Sequence, residues 1–175
     1  VTFRNFDGPV DVPGMVDVIQ RCTEADQIKR VITIEDLETF FKHLTNCDPY
    51  KDLLLVEKEG RIIAYVRTEW FEHSDGQRIY RWIMNIAPEI RGNGMANRLL
   101  EYAEGHLGKI AAHHPLQTEK FFEIGVDERE IEKKPLLEEA DYKPNRYFFM
   151  MARDLSEPFP DAALSEGLEV RPVEP

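Results

Sequence analysis

The sequence predicts an α+β domain in which helices pack on a sheet. Short runs of strand period alternate with stretches of helical period, and glycine- or proline-bearing turns separate them. Val1 to Phe6 alternates and gives a first strand. From Val12 to Ile19, the residues Val12, Met15, Val16 and Ile19 recur at three and four and give a helix. Thr33 with Asp36 forms a capping box, and Leu37, Phe40, Phe41 and Leu44 follow as one apolar stripe. Asp48-Pro49 closes that helix. Leu53 to Glu57 and Arg61 to Trp70 flank Glu59-Gly60 as an antiparallel hairpin. A second turn, His73 to Gln77, leads into a strand from Arg78 to Ile86. Beyond Gly94, the residues Ala96, Leu99, Leu100, Ala103, Leu107 and Ile110 line one helical face. Gly105 and Gly108 weaken that helix by about 1 kcal/mol each. Lys120 to Val126 is the next strand, Arg129 to Ala140 an acidic helix interrupted at Pro135, and Tyr147 to Ala152 an apolar final strand.

With 175 residues, 42% hydrophobic and 31% charged, the chain has enough apolar material for one core and too much for wholesale disorder. Its net charge of -11 repels nucleic acid and anionic membrane, so neither is expected as a partner. No apolar run approaches the ~20 residues of a membrane span, and no signal peptide is evident. Cys22 and Cys47 match no metal or redox spacing, so a reduced, cytoplasmic protein without a metal is expected. The Pro-, Ala- and Ser-rich stretch from Ser156 to Ser165 reads as a linker. One domain therefore covers 1–155. The alternating run Glu166 to Val173 repeats the pattern of Val1 to Phe6, and 156–175 is expected to hold the linker and the first strand of a second, similar domain.

Chemistry is visible between Trp82 and Leu100. A buried strand runs into Arg91-Gly92-Asn93-Gly94, which opens directly into an amphipathic helix. The first N–H groups of such a helix lack partners and point, with the helix dipole, at one spot suited to phosphate. Gly92 and Gly94 permit positive φ and close approach to the backbone, while Arg91 and Arg98 add positive charge. On the glycines alone, an ordinary turn before a helix is the simpler reading. No Lys-Ser or Lys-Thr follows, which excludes a Walker loop, and a dinucleotide fingerprint would need its third glycine at Asn97.

The run Pro88 to Ala96, after an apolar strand and before Leu99-Leu100, closely resembles the acetyl-CoA signature of the GNAT acetyltransferase superfamily, (Gln/Arg)-x-x-Gly-x-(Gly/Ala), filled by Arg91, Gly94 and Ala96. The resemblance implies the GNAT acyl-CoA N-acyltransferase fold: a mixed, mostly antiparallel sheet flanked by helices, with a splayed central strand pair. It implies that the backbone of Met84 and Ile86 pairs with the pantetheine arm of acetyl-CoA. The backbone from Arg91 through Gly92, Asn93, Gly94, Met95 and Ala96 to Asn97 would hold the pyrophosphate, and the adenine end would lie near the start of the later helix. It further implies transfer of an acetyl group to a small-molecule or peptide amine by direct attack, which needs a base for the amine and a donor for the thiolate.

The usual catalytic groups of that family are replaced here. The strand before the signature has Trp82 near the place of the usual glutamate, and Leu137 stands where the usual tyrosine would be. Glu69 and His73, at the end of the neighbouring strand, are candidate bases acting through water, and Tyr142 is a candidate thiol donor. Against these roles stand a solvated Glu and His and a packing tyrosine. Tyr80, which alternates with Trp82, points either into the acceptor cleft or into the core, with the core favoured, and His113-His114 is expected in a loop. Two readings follow: an active N-acetyltransferase domain, or an acetyl-CoA-binding but silent domain supporting a second, active one.

Overall fold

The structure, a computed structural model, describes residues 1–158 and 163–172. Residues Val1–Tyr142 form one compact unit. Its five strands are β1 (Thr2–Asn5), β2 (Leu53–Lys58), β3 (Arg61–Glu72), β4 (Arg78–Ile86) and β5 (Lys120–Glu123), and they lie side by side in chain order. All neighbours are antiparallel except β4 and β5, which run parallel. That parallel pair needs a crossover, and α4 (Met95–Ala112) supplies it.

Helices cover both faces. On one face, α4 lays Leu99, Leu100, Ala103 and Leu107 against Val66, Tyr80, Trp82 and Met84. On the other, α1 (Val12–Ala25) and α2 (Ile34–Lys42) cover Leu53, Leu55, Ile62 and Tyr65. The capping box at the start of α2 is complete: Thr33 Oγ1 accepts from the Asp36 N–H, and Asp36 accepts from the Thr33 N–H. Glu59 and Gly60 both take positive φ, +53° and +76°, as the expected β2–β3 hairpin requires.

Several boundaries differ from the sequence expectations. Asp48-Pro49 starts a short helix, α3 (Pro49–Asp52), because Asp48 accepts from the Tyr50 N–H and proline is suited to the first helical position. The acidic helix begins later, as α5 (Lys133–Glu139), with Pro135 in its first turn, where the missing N–H would have had no partner. β5 stops at Glu123 rather than Val126. Gly105 and Gly108 lie inside α4 without ending it.

Residues Lys143–Pro175 form a second unit. The strand expected from Tyr147 to Ala152 is absent. An apolar run becomes a strand only where another strand accepts its backbone groups, and none among the described residues pairs with it. Tyr147 to Met151 are left exposed. Residues 163–172 carry a turn and no strand. Part of the expected linker, 159–162, and Val173 of the expected second strand lie outside the described residues. Among the described residues no helix is long and apolar enough to cross a membrane, and no cluster of metal-ligating side chains occurs.

Candidate active site

The strand β4 is finished in two ways along its length. From Arg78 to Arg81 it is laddered on both sides, to β3 and to β5. The last pair with β5 is Arg81↔Glu123, whereas pairing with β3 continues to Ile86. Beyond Arg81, therefore, one edge of β4 has no strand beside it. Carbonyls that alternate along a strand point to the same side. Those of Met84 and Ile86 point to this open edge, where side chains meet them. Lys133 Nζ donates to Met84 O at 3.0 Å. Cys22 Sγ and Arg91 Nε donate to Ile86 O at 3.0 and 3.2 Å. A narrow cleft of about 40 Å³ follows this edge between Cys22 and Leu136. Burial pushes the Cys22 thiol up, so the sulfur stays protonated and serves as that donor.

At the end of β4 the chain makes a short 3-10 turn, Pro88–Ile90, and then the glycine turn. Gly92 and Gly94 have φ of +74° and +80°, and Gly94 is the N-cap of α4. Apart from the adjoining residues of the chain, no atom lies within 4 Å of where a Cβ would stand on either glycine. The Met95 N–H donates to Asn93 Oδ1, and the Arg98 N–H to Gly94 O. Among the described residues the N–H groups of Gly92, Asn93, Gly94, Ala96 and Asn97 meet no protein acceptor. They form one run at the positive end of an 18-residue helix.

Arg91 does not stand free beside this turn. Its guanidinium grips both oxygens of Asp26, at 2.6 and 2.8 Å, and so ties the turn to the end of α1. Arg98 stacks on the Phe3 ring, 4.4 Å from its centroid. The Arg91 charge is thus committed to Asp26, while the exposed Arg98 guanidinium and the unpartnered N–H groups are what remains for an anion. A wider cleft of about 590 Å³ opens beside Arg91, between residues 25–27 and the 128–132 turn ahead of α5.

The candidate catalytic residues fall at three different places. Glu69 lies on β3 opposite Arg81, next to the point where β5 departs. Its carboxylate accepts from Arg67 Nη1 at 2.5 Å and lies 4.0 Å from Arg81 Nη1. His73 sits in the β3–β4 turn, stacked near Phe71, at the laddered end of β4. Tyr142 is on the α4 face, where Trp82 Nε1 donates to its oxygen at 3.2 Å and its own O–H donates to Glu104 at 2.9 Å. Burial and the nearby Glu104 carboxylate hold the Tyr142 phenol well above its ordinary range, so it keeps its proton. Tyr80 is buried as expected, and its O–H meets His114 Nδ1 at 2.6 Å.

The sequence reading missed Arg67, Arg81 and Glu123, which share one face with Glu69. The signal available was the spacing of Arg67 and Glu69, two apart in a strand and so on one side of it. Asp26 and Lys133, held to the site by contacts across the fold, carried no local signal.

A family model for the acetyltransferase (GNAT) family matches residues 15–128, which take in most of α1, the open edge of β4, the glycine turn and β5. This chain belongs to the GNAT acetyltransferase family. Solved structures agree on the fold. A GCN5-related N-acetyltransferase from Sphaerobacter thermophilus is 20% identical over 82% of this chain and 43% of that one, with a TM-score of 0.69. A predicted acetyltransferase from Clostridium acetobutylicum, solved with acetyl-CoA, is 17% identical over 86% of this chain and 95% of that one, with a TM-score of 0.63. The glucosamine-6-phosphate N-acetyltransferase of Arabidopsis thaliana is 14% identical over 87% and 98%, with a TM-score of 0.59. The chain spans less than half the length of the Sphaerobacter protein. No curated protein matches the sequence closely enough to count. The GNAT fold expected from the signature, with its mixed sheet and separating strand pair, is the fold observed.

Proposed function

We propose that this GNAT domain binds acetyl-CoA along the open edge of β4 and transfers its acetyl group to an amine. The single observation that carries the proposal is the end of β4–β5 pairing at Arg81↔Glu123, directly ahead of the run of unpartnered N–H groups. The residues fit such a ligand. Met84 and Ile86 offer backbone groups on the open edge. The N–H groups of Gly92, Asn93, Gly94, Ala96 and Asn97 suit a pyrophosphate, because glycine leaves room for it and the helix dipole favours negative charge. The clefts on either side of Arg91 extend this path toward the 128–132 turn.

Acetyl-CoA supplies the acetyl group as a thioester. In this proposal Glu69 takes the proton of the attacking amine through water, since its carboxylate lies beside the point where the strands separate. Tyr142, on the covered α4 face with its O–H given to Glu104, receives no part, and the departing thiolate takes its proton from water. His73, at the far end of β4, receives no part. The residues beyond 155 are taken, from the linker composition of Ser156 to Ser165, as the connection to a second domain of the same kind. The test is acetyl-CoA-dependent thiol release with a panel of amines. Release that needs both the amine and acetyl-CoA supports the proposal. Absence of release with every amine, despite saturable acetyl-CoA binding, removes the catalytic part.

A further inference from the structure

Opposite residues in a ladder share a face, so the register of β2 to β5 places side chains in rows. On the face carrying α1 and α2, one row is Leu53, Arg67 and Ile83, and the next is Glu69, Arg81 and Glu123. The helices cover Leu53, and Phe40 of α2 reaches Arg67, but Ile83 is left bare. Ile83, two residues past the last pair with β5, is 37% exposed. A bare apolar residue on the sheet face marks a floor that the chain's own helices leave open.

The walls of that floor are charged in alternation. Arg67 donates to Glu69, Glu69 faces Arg81, and Arg81 donates through Nε and Nη2 to Glu123 at 2.9 and 2.5 Å. Phe40 of α2 lies against the Arg67 guanidinium at 4.7 Å, and Phe71 against that of Arg81 at 4.5 Å. The Arg67 side chain is only 5% exposed, yet among the described residues it donates to one oxygen, Glu69 Oε2. A guanidinium has five N–H donors in a planar fork. Glu69 and the neighbouring Cys47 thiol take up part of that fork, and the rest is left for a molecule that enters over Ile83.

We propose that this floor takes an amino acid as the acceptor: a small molecule with a carboxylate beside its primary amine. Its carboxylate meets Arg67 and Arg81, whose forks suit bidentate pairing, and its amine lies by Glu69. A purely cationic amine would face two arginines with nothing to offer them. A purely anionic ligand would face two carboxylates. A zwitterion satisfies both, in a place where partial burial strengthens each contact. This inference rests on the acetyl-transfer reading. The amine nitrogen bonds to the acetyl carbon as the carbon–sulfur bond breaks, and the amine proton leaves through Glu69 while the thiolate gains one.

The experiment compares ligand pairs that differ only by the carboxylate: lysine with cadaverine, tyrosine with tyramine, histidine with histamine, and tryptophan with tryptamine. Saturation-transfer NMR on the full chain, in the presence of CoA, reads their binding. At least one amino acid is expected to bind about tenfold or more tightly than its decarboxylated partner, in line with a charge-assisted pair. Arg67→Met is expected to erase that difference, and Arg67→Lys to restore part of it. Equal binding within every pair, or no binding of any amino acid, overturns the inference. Calorimetric titration with acetyl-CoA, unchanged in both variants, shows separately whether the cofactor reading stands.

Discussion

Trp82 and Ile83 are neighbours on β4 and face opposite ways. Trp82 is fully buried on the α4 face, sealed by the helix and hydrogen-bonded to Tyr142. Ile83, one residue on, is more than a third exposed and bordered by charged side chains rather than by a helix. The α4 face is completed by the chain itself, with the Trp82 indole and the Tyr80 hydroxyl paired within the protein. The other face is completed only as far as Leu53 and Tyr65, and beyond them the sheet lies open beside the point where β5 departs. The same strand thus contributes to stability through one face and is free for ligands on the other.

The difference can be broken residue by residue. Trp82→Ala removes a buried aromatic and leaves Tyr142 without its donor, and should cost about 3–5 kcal/mol in chemical denaturation. Ile83→Ala should cost less, about 1–2 kcal/mol, because more than a third of the residue is already exposed. Similar costs at the two positions would mean that the second face is closed as well. Glu69→Gln keeps an acceptor for Arg67 but removes the base. Turnover near neutral pH should fall about 10²-fold or more, with folding and acetyl-CoA binding retained. An unchanged pH–rate profile would strip Glu69 of that role.

The smallest effect is on the sealed face, at His114. Burial, and then the positive Arg78 nearby, hold this imidazole below its ordinary range, so the neutral ring accepts from the Tyr80 hydroxyl. In the unfolded chain the ring takes a proton near about pH 6.5, which the folded protein resists. The stabilisation is complete above that value and is lost as pH falls through the depressed folded value. Thermal midpoints should therefore drop more between about pH 7 and about pH 5 in the wild type than in His114→Gln.

Much of this was legible in the sequence because it is local. The capping box of Thr33 and Asp36, the Glu59-Gly60 hairpin and the glycine turn ahead of α4 each depend on a few adjacent residues, and each appears where it was expected. Features set by distant partners were not legible. The apolar run after Arg146 was read as a strand from its composition, but a strand also needs a neighbour to accept its hydrogen bonds. Arg91 was read as a free charge, and Asp26, 65 positions earlier, takes it. The open floor depends on where α1 and α2 stop covering the sheet, and no local pattern encodes that limit.

The central claim is that the glycine turn and the open edge of β4 bind acetyl-CoA, and calorimetric titration of wild type and Gly94→Val tests it most directly. Valine is strained at the +80° φ of this N-cap and places a branched side chain in the space left by the glycine. Saturable one-to-one binding by the wild type and a loss of about 10²-fold or more in the variant is the predicted result, with the variant still folded. No binding by the wild type, or equal affinity in a folded variant, would contradict the account.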